Sequence, residues 1–325
     1  ALAVAALLGT GAASAATFQV NDDATMSIGV GIYTAYVVTT DKDGDESTTF
    51  GDNASDIVFS GEHRNANGIT TFATFDLDGF DSTEAGSDEG TVVDEASVGL
   101  RGEFGEIVVG SNQGVYDAYA DFADGGGLGW TNLTSFSNGD VSDVVQYSNG
   151  LGNLSYTLQA QIGDDNNNGT SSTNTSTTSL GAGAELDLGG VTLSAAYEQR
   201  ANAVEDEPIF GVGASTNIGG ASITVGYEVD DRTTNGIDKV SIAGSYPIGP
   251  VTLSAFVQNV SFDSVPGAGE DTISEAAQDD DSFTEVQIGA LYSITDQMSA
   301  SIETAMKDRK NDEGDYIGVG LNYSF

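Results

Sequence analysis

The sequence predicts an all-β fold, a transmembrane β-barrel of roughly sixteen antiparallel strands. Apolar and polar residues alternate in segments of about ten residues along nearly the whole chain, as in strands that face lipid on one side and water on the other. Short turns alternate with long polar connections between these segments. The last segment closes the chain on an aromatic residue, Phe325.

Single segments show the alternation directly. In 317–325 the odd positions are apolar and the even positions are Gly, Asn or Ser, and 154–162 places Ser, Thr and Gln on its polar face. Because successive strand residues point to opposite faces, these polar side chains would line water. Aromatic residues near segment ends, such as Tyr197 and Tyr292, suit the headgroup level of a membrane. A soluble sandwich would need apolar side chains only toward one shared core.

The connections have two lengths. Short turns rich in Gly, Asn, Asp and Pro are predicted at 64–68, 102–105, 149–152, 189–190, 219–220, 247–250 and 295–296. Long polar loops are predicted at 41–53, 78–90, 111–141, 164–179, 201–207, 231–236, 263–282 and 308–314. This alternation indicates an even number of strands, as outer-membrane barrels require for both chain ends to lie on one side.

The first residues indicate export. Residues 1–8 are apolar and Ala13-Ser14-Ala15 has the small-x-small pattern of a cleavage site, so 1–15 is predicted to be the remnant of a secretory signal peptide. Residues 16–325 would then form the barrel. No later apolar run approaches the roughly 18 residues that a membrane-spanning helix needs.

The composition is strongly acidic. Nine Lys and Arg against fifty Asp and Glu give a formal net charge of −41, which makes nucleic acid and anionic surfaces poor partners. Two compatible explanations are a solvated surface adapted to high salt and a pore that attracts cations. The chain has no Cys, which excludes disulfides and thiolate metal sites.

One block resembles a known family. Residues 97–110, SVGLRGEFGEIVVG, followed by Tyr116, resemble the turn-linked strand pair before the constriction loop of general bacterial porins, including those of purple photosynthetic bacteria. The terminal Phe325 fits the same family, and the strand count extends the likeness over 16–325. The resemblance implies a homotrimer in the outer membrane of a Gram-negative bacterium, in contact with lipid and lipopolysaccharide, that passes small hydrophilic solutes. It also implies that the third long loop, 111–141, folds into the barrel and narrows the pore.

That loop carries regularly spaced carboxylates. Asp117, Asp121 and Asp124 recur at spacings of four and three, so a short helical turn would present them on one side. Carboxylates in a water-filled constriction attract cations and repel anions. The sequence therefore predicts a pore constriction with cation preference, and the plainer alternative is that these residues are merely solvated.

The resemblance also implies basic residues on the wall opposite the loop, often an Arg after the glycine that ends the fifth strand. Here that position is Gly110-Ser111, so the transverse field would be weakened and the cation preference sharpened. Arg101 and Arg64 are the predicted basic members of the constriction. The full set of candidates on inward-facing positions is Arg64, Arg101, Arg200, Lys239 and Lys307.

Calcium is the only cofactor that the sequence suggests. Asp164, Asn166 and Asn168 match the opening of a calcium-binding loop, and 41–45 comes near it. Neither segment has the closing Glu at position twelve or the flanking helices of that motif.

Enzymatic function has little support in the sequence. The single histidine, His63, has no nucleophile motif near it, and among fifty acidic residues any carboxylate pair is expected by chance. The predicted function is a passive diffusion channel for small hydrophilic solutes and ions across the outer membrane, with cation preference. The alternative is a secreted acidic adhesin or surface-layer β-protein that binds calcium, which would stay soluble without detergent.

Overall fold

The computed structural model describes residues 15–41, 43–52, 55–78, 92–122, 135–136, 140–162, 179–200, 208–231, 236–263, 282–308 and 314–325. Within these residues no helix is long and apolar enough to cross a membrane. The described part is built from antiparallel strands and one short helix. Their bounds are β1 Ala16–Asn21, β2 Ala24–Thr40, β3 Glu46–Asp52, β4 Asp56–Arg64, β5 Thr70–Asp78, β6 Val92–Gly102, β7 Gly105–Gln113, α1 Val115–Ala120, β8 Asp140–Leu151, β9 Leu154–Gln161, β10 Ser179–Asp187, β11 Val191–Arg200, β12 Pro208–Ile218, β13 Ala221–Asp230, β14 Ile237–Ile248, β15 Val251–Phe262, β16 Ser282–Ser293, β17 Met298–Lys307 and β18 Tyr316–Ser324.

These eighteen segments close into a sixteen-stranded antiparallel barrel, which confirms the predicted fold class. Two pairs of segments each act as one barrel strand. β3 pairs with residues 34–40 of β2 and β4 pairs with residues 24–31, so β3 and β4 follow one another along the same neighbour. In the same way, β18 and β1 pair with the two halves of β2 on its other side.

The barrel closes where its first and last strands meet. The last strand pairs with the first long one, because β18 pairs with β2 from Ser324–Gly31 to Tyr316–Thr39. The backbone N–H groups of Val30 and Phe325 each donate to the other's carbonyl oxygen at 3.0 Å. Closure leaves no exposed sheet edge, which the bilayer core requires.

The first long loop is shorter than predicted. The expectation of a loop over 41–53 is wrong, because β3 occupies residues 46–52 of it and only the turn at 41–45 remains. In that turn the Asp41 Oδ1 accepts the backbone N–H groups of Asp43 and Asp45 at 2.9 and 3.0 Å. Apart from Phe50, β3 has no large apolar residue, so hydrophobic alternation could not indicate a strand there.

The predicted short turns are confirmed within a few residues. They lie between consecutive strands at 65–69, 103–104, 152–153, 188–190, 219–220, 249–250 and 294–297. All therefore lie at one end of the barrel, which we call the turn end.

The outer surface of the barrel is an apolar band. Val98, Val212, Ile242 and Ile302 are each about half exposed on strand positions that alternate with inward ones. Apolar patches this extensive are rare on soluble monomers, whereas a barrel in a bilayer presents them to lipid.

Candidate pore constriction

The helix α1 lies inside the barrel, packed on the inner face of β9–β12. It follows β7 directly, and the backbone N–H of Val115 donates to the Gln159 Oε1 on β9 at 3.0 Å. Gln159 Oε1 also accepts from Gln146 Nε2 at 2.9 Å, so the wall positions the acceptor for the start of the helix. The described part of the third loop therefore turns into the lumen.

Glycines on the wall make this close approach possible. We call Gly181, Gly183, Gly211, Gly213 and Gly226 the glycine floor. A Cβ on Gly183 would lie 2.4 Å from the Tyr119 ring, and one on Gly213 would lie 2.3 Å from the Phe122 ring. Because any larger residue would collide with these rings, the floor sets how near α1 lies to the sheet.

Apolar packing fixes the helix on this floor. Burying an aromatic or large aliphatic side chain contributes about 1.5–3 kcal/mol, so the cluster formed here holds the loop firmly. Its members come from α1, from Phe122 just after it, from Phe136 in residues 135–136, which we call the return segment, and from the wall. They are Val115, Tyr116, Tyr119, Ala120, Phe122, Phe136, Ala196, Ile209, Ile237, Val260, Phe262 and Phe283.

A buried polar network lies within the cluster. The Tyr116 hydroxyl donates to Glu228 Oε2 at 2.7 Å, and Lys239 Nζ lies 3.0 Å from the same oxygen. Lys239 Nζ also lies 4.2 Å from the centre of the Phe136 ring, and both charged side chains are fully buried. The ion pair and the cation–π contact thus join α1, the return segment and the wall.

The two tyrosines of α1 are held in their neutral form. Burial, reinforced by the negative charge of Glu228, raises the pKa of Tyr116 far above its ordinary value of 10.0. Burial also raises the pKa of Tyr119, whose hydroxyl forms a 2.8 Å hydrogen bond with Thr157 Oγ1. Both hydroxyls therefore serve as hydrogen-bonding anchors rather than as proton carriers.

The predicted acidic residues of the loop have different surroundings. Asp117 is half-buried on α1 and accepts from Gln113 Nε2 at 2.6 Å. Asp121 is 7% exposed and accepts from Ser135 Oγ at 2.7 Å. The helix ends at Ala120 and Asp121 has extended backbone, so helical spacing does not place it on the face of Asp117. Asp124 lies outside the described residues.

The predicted basic residues are not brought together with those carboxylates. Arg64 ends β4 and Arg101 is the second-last residue of β6, so both lie at the turn end. The α1 helix instead packs on residues of β10 and β12 away from the turn end, such as Gly183 and Gly211. Arg101 forms an ion pair with Glu62 in which both side chains are 45% exposed.

The other inward-facing cations are neutralised inside the wall. Lys239 pairs with Glu228 as described, and Lys307 Nζ lies 3.7 Å from Glu285 Oε1, with all four side chains fully buried. The side chain of Arg200 lies outside the described part of the chain. The inner wall therefore offers little uncompensated positive charge among the residues that the structure describes.

Sequence reasoning gave the carboxylates of the wall itself no role in the constriction. Alternation along each strand marks inward positions, and this signal could have identified them. Several are half-buried toward the lumen, and others are enclosed by the wall. The inward-facing acidic residues on the described strands include Asp56, Glu62, Asp76, Asp78, Glu106, Glu185, Glu198, Glu228, Asp230, Glu285 and Glu303.

No metal centre is found in the described part of the chain, where no three potential ligand residues lie close enough to hold an ion. The calcium candidates Asp164, Asn166 and Asn168 fall outside the described residues. Calcium binding in that loop stays a prediction.

The fold matches solved outer-membrane channels. The chain superposes on Salmonella typhi OmpF in complex with daunomycin with a TM-score of 0.73 at 19% identity, covering 95% of this chain and 100% of that one. An anion-selective porin from Comamonas acidovorans matches with a TM-score of 0.69 at 14% identity, covering 93% and 100%. At these identities the likeness establishes the fold alone.

Sequence comparison gives the family. A "Monosaccharide porin" from Halomonas sp. and the "Major outer membrane protein" of Halomonas elongata are each 27% identical over 315 residues, covering 84% of this chain and 83% of theirs. The family model for Gram-negative porins matches residues 1–324. These findings support neither an enzyme nor a secreted adhesin. The chain belongs to the Gram-negative porin family and forms a diffusion channel in the outer membrane.

Proposed function

We propose that this channel prefers cations and passes small hydrophilic solutes. The observation that carries the proposal is the charge of the inner wall. Half-buried carboxylates at Asp56, Asp76, Glu106 and Asp117 face the lumen, on β4, β5, β7 and α1. The structure describes four Lys and Arg side chains, and three of them form ion pairs with Glu62, Glu228 and Glu285.

An excess of carboxylates acts strongly in a narrow aqueous passage. Low-dielectric walls focus the field, so cations are concentrated in the lumen and anions are depleted. The fold by itself does not set the sign, because the Comamonas acidovorans porin of similar fold is anion-selective. In this chain the wall charges favour cations.

The third loop is the proposed narrowest part of the passage. Asp117, Asp121 and Asp124 would supply its acidic side, while Arg101 and Arg64 would act nearer the turn end. The fixed packing of α1 supports this assignment, because a pinned helix inside the lumen reduces the cross-section open to solutes. The lumenal face of the helix is the part that ions would meet.

The proposal extends to the solutes that pass, the oligomeric state and the export of the protein. A relative is named a monosaccharide porin, which supports passage of small neutral solutes as well as ions. A structural neighbour, OmpT of Vibrio cholerae, is described in a trimer form, which supports a homotrimer embedded in outer-membrane lipid and lipopolysaccharide. We further propose that 1–15 is a removed signal peptide and that the surface acidity is adapted to high salt.

Reversal potentials in planar bilayers test the selectivity. With a KCl gradient, the wild-type channel should favour K⁺ over Cl⁻, and the triple variant D117N/D121N/D124N should shift the potential toward zero because loop carboxylates have been removed. Asp238→Asn is the control, since Asp238 faces outward and accepts a hydrogen bond from Tyr227 at 3.0 Å. A wild-type channel that favours Cl⁻ would contradict the proposal.

A further inference from the structure

A row of hydroxyls crosses the inner wall on the side away from α1. The strand registers place Thr17 of β1 beside Ser27, Ser27 beside Ser60, and Ser60 beside Thr74. The Thr17 and Ser27 hydroxyls lie 3.1 Å apart. Since neighbouring strands are about 4.8 Å apart, the row presents hydroxyls at regular, short intervals across four strands.

A second row lies beside it, toward the turn end. Thr25, Glu62 and Phe72 are aligned across β2, β4 and β5, and Arg101 reaches Glu62 from β6. Together the two rows line a recess of about 440 Å³ that opens to the lumen. Small-molecule sites typically have volumes of roughly 300–1,000 Å³, so the recess is large enough for a small solute.

The polar groups of the recess suit a neutral ligand with many hydroxyls. The Arg101–Glu62 pair carries no net charge. An anion attracted to Arg101 would be repelled by Glu62, and a cation attracted to Glu62 would be repelled by Arg101. The pair nevertheless offers several donors and two acceptor oxygens, and the Ser and Thr hydroxyls both donate and accept. Both charged side chains are 45% exposed and thus within reach of a solute in the lumen.

An aromatic ring completes the recess. The Phe72 ring lies over Gly99, with its Cζ only 2.2 Å from the position that a Cβ on Gly99 would occupy. The Arg101 guanidinium carbon lies 5.3 Å from the centre of the same ring. The glycine therefore lets the ring lean across the wall beside the ion pair, where it offers an apolar surface to the C–H groups of a solute.

We propose that this recess is a binding site for neutral polyhydroxy solutes, of which a hexose is the model, on the turn-end side of α1. The hydroxyl row and the Arg101–Glu62 pair bind the solute hydroxyls, and Phe72 contacts its carbon skeleton. The proposal rests on the proposed passage of small hydrophilic solutes and adds a saturable site to it. The site lies outside the glycine floor and outside the loop carboxylates.

Uptake of radiolabelled D-glucose into liposomes containing the purified full-length channel tests the site. The wild-type initial rate should saturate with glucose concentration. Ser60→Ala with Thr74→Val should raise the half-saturating concentration at least about fivefold, because two hydrogen-bonding groups are removed. The charge-conserving pair Glu62→Gln with Arg101→Met should do the same. The control is Thr192→Val with Ser194→Ala, inward-facing hydroxyls of β11 on the other side of the lumen.

The outcomes separate this site from the general channel function. Heat-modifiable migration on gels establishes that each variant folds. Linear wild-type uptake, or recess variants that saturate like wild type, would overturn the proposed site while leaving the channel function intact. Absence of any glucose uptake, with ion conductance retained, would instead contradict the proposed passage of neutral solutes. A reversed ion selectivity would contradict only the proposed role of the wall carboxylates in selectivity.

Discussion

Two parts of the inner wall use the same strand geometry for opposite purposes. The covered wall, formed by β9–β13 beneath α1, has glycines such as Gly183 and Gly213 where the open wall, formed by β1, β2 and β4–β6, has hydroxyls such as Ser60 and Thr74. The glycines admit a helix and exclude water, whereas the hydroxyls keep water and solutes at the surface. Inward side chains thus determine what lies against each part of the barrel.

The two walls also differ in how far their ion pairs are exposed to water. The Glu228–Lys239 pair, which joins the covered wall to β14, is fully buried, and on the open wall the Glu62 and Arg101 side chains are each 45% exposed. A buried pair strongly penalises loss of one partner, while an exposed pair contributes little because water and salt screen it. The same residue chemistry therefore stabilises structure on one wall and remains available to solutes on the other.

The largest expected effect comes from breaking the buried Glu228–Lys239 pair. Lys239→Met should lower the free energy of unfolding by about 3–5 kcal/mol, because Glu228 would be left buried without its partner. Arg101→Met, the same change on the open wall, should cost about 0–1 kcal/mol. Denaturant unfolding in detergent, followed by far-UV circular dichroism, measures both. Equal losses would show that the two pairs do not differ in the way their burial indicates.

A second prediction concerns the glycine floor. Gly213→Ala should destabilise the barrel by about 1–3 kcal/mol and change the single-channel conductance, because its Cβ would lie 2.3 Å from the Phe122 ring and displace the segment after α1. Gly29→Ala on the open wall is the matched control, since its Cβ would meet nothing closer than 3.9 Å. If the two variants conduct alike, the floor does not position the loop.

The barrel could be predicted from the sequence because contact with lipid constrains which residues can face outward on each strand. Outward residues must be apolar and each backbone group must pair, so alternation and turn residues together indicated sixteen strands. The polar strand β3 and the short β1 were missed. In β3 the only large apolar residue is Phe50, so no membrane-facing pattern marks it, whereas β1 spans six residues, too few for its outward Phe18 and Val20 to indicate a strand on their own.

The site was predicted less completely. The inward folding of the third loop came from resemblance, and its acidic residues were identified by spacing that holds only as far as Ala120. The hydrogen bond from Tyr116 to Glu228 joins residues 112 positions apart, which no local pattern can indicate. The glycine floor did leave a signal, because glycine is disfavoured within strands and here recurs at inward positions such as 211 and 213.

The smallest expected effect is a change in how the unfolding free energy depends on alkaline pH. Burial raises the folded-state pKa of Tyr116 and Tyr119 above the ordinary value of 10.0, so above that pH the unfolded chain loses protons that the folded chain keeps. Their contribution to stability is complete below about pH 10 and declines as the pH rises further, by roughly 1.4 kcal/mol per pH unit for a fully protected group. Tyr116→Phe with Tyr119→Phe should therefore flatten the alkaline decline, whatever its cost at neutral pH. Tyr36→Phe, on the outer face of β2, is the control for losing a hydroxyl. Unfolding free energies measured from pH 9 upward supply the slopes, and a double variant as steep as wild type would mean that these two tyrosines do not cause the alkaline decline.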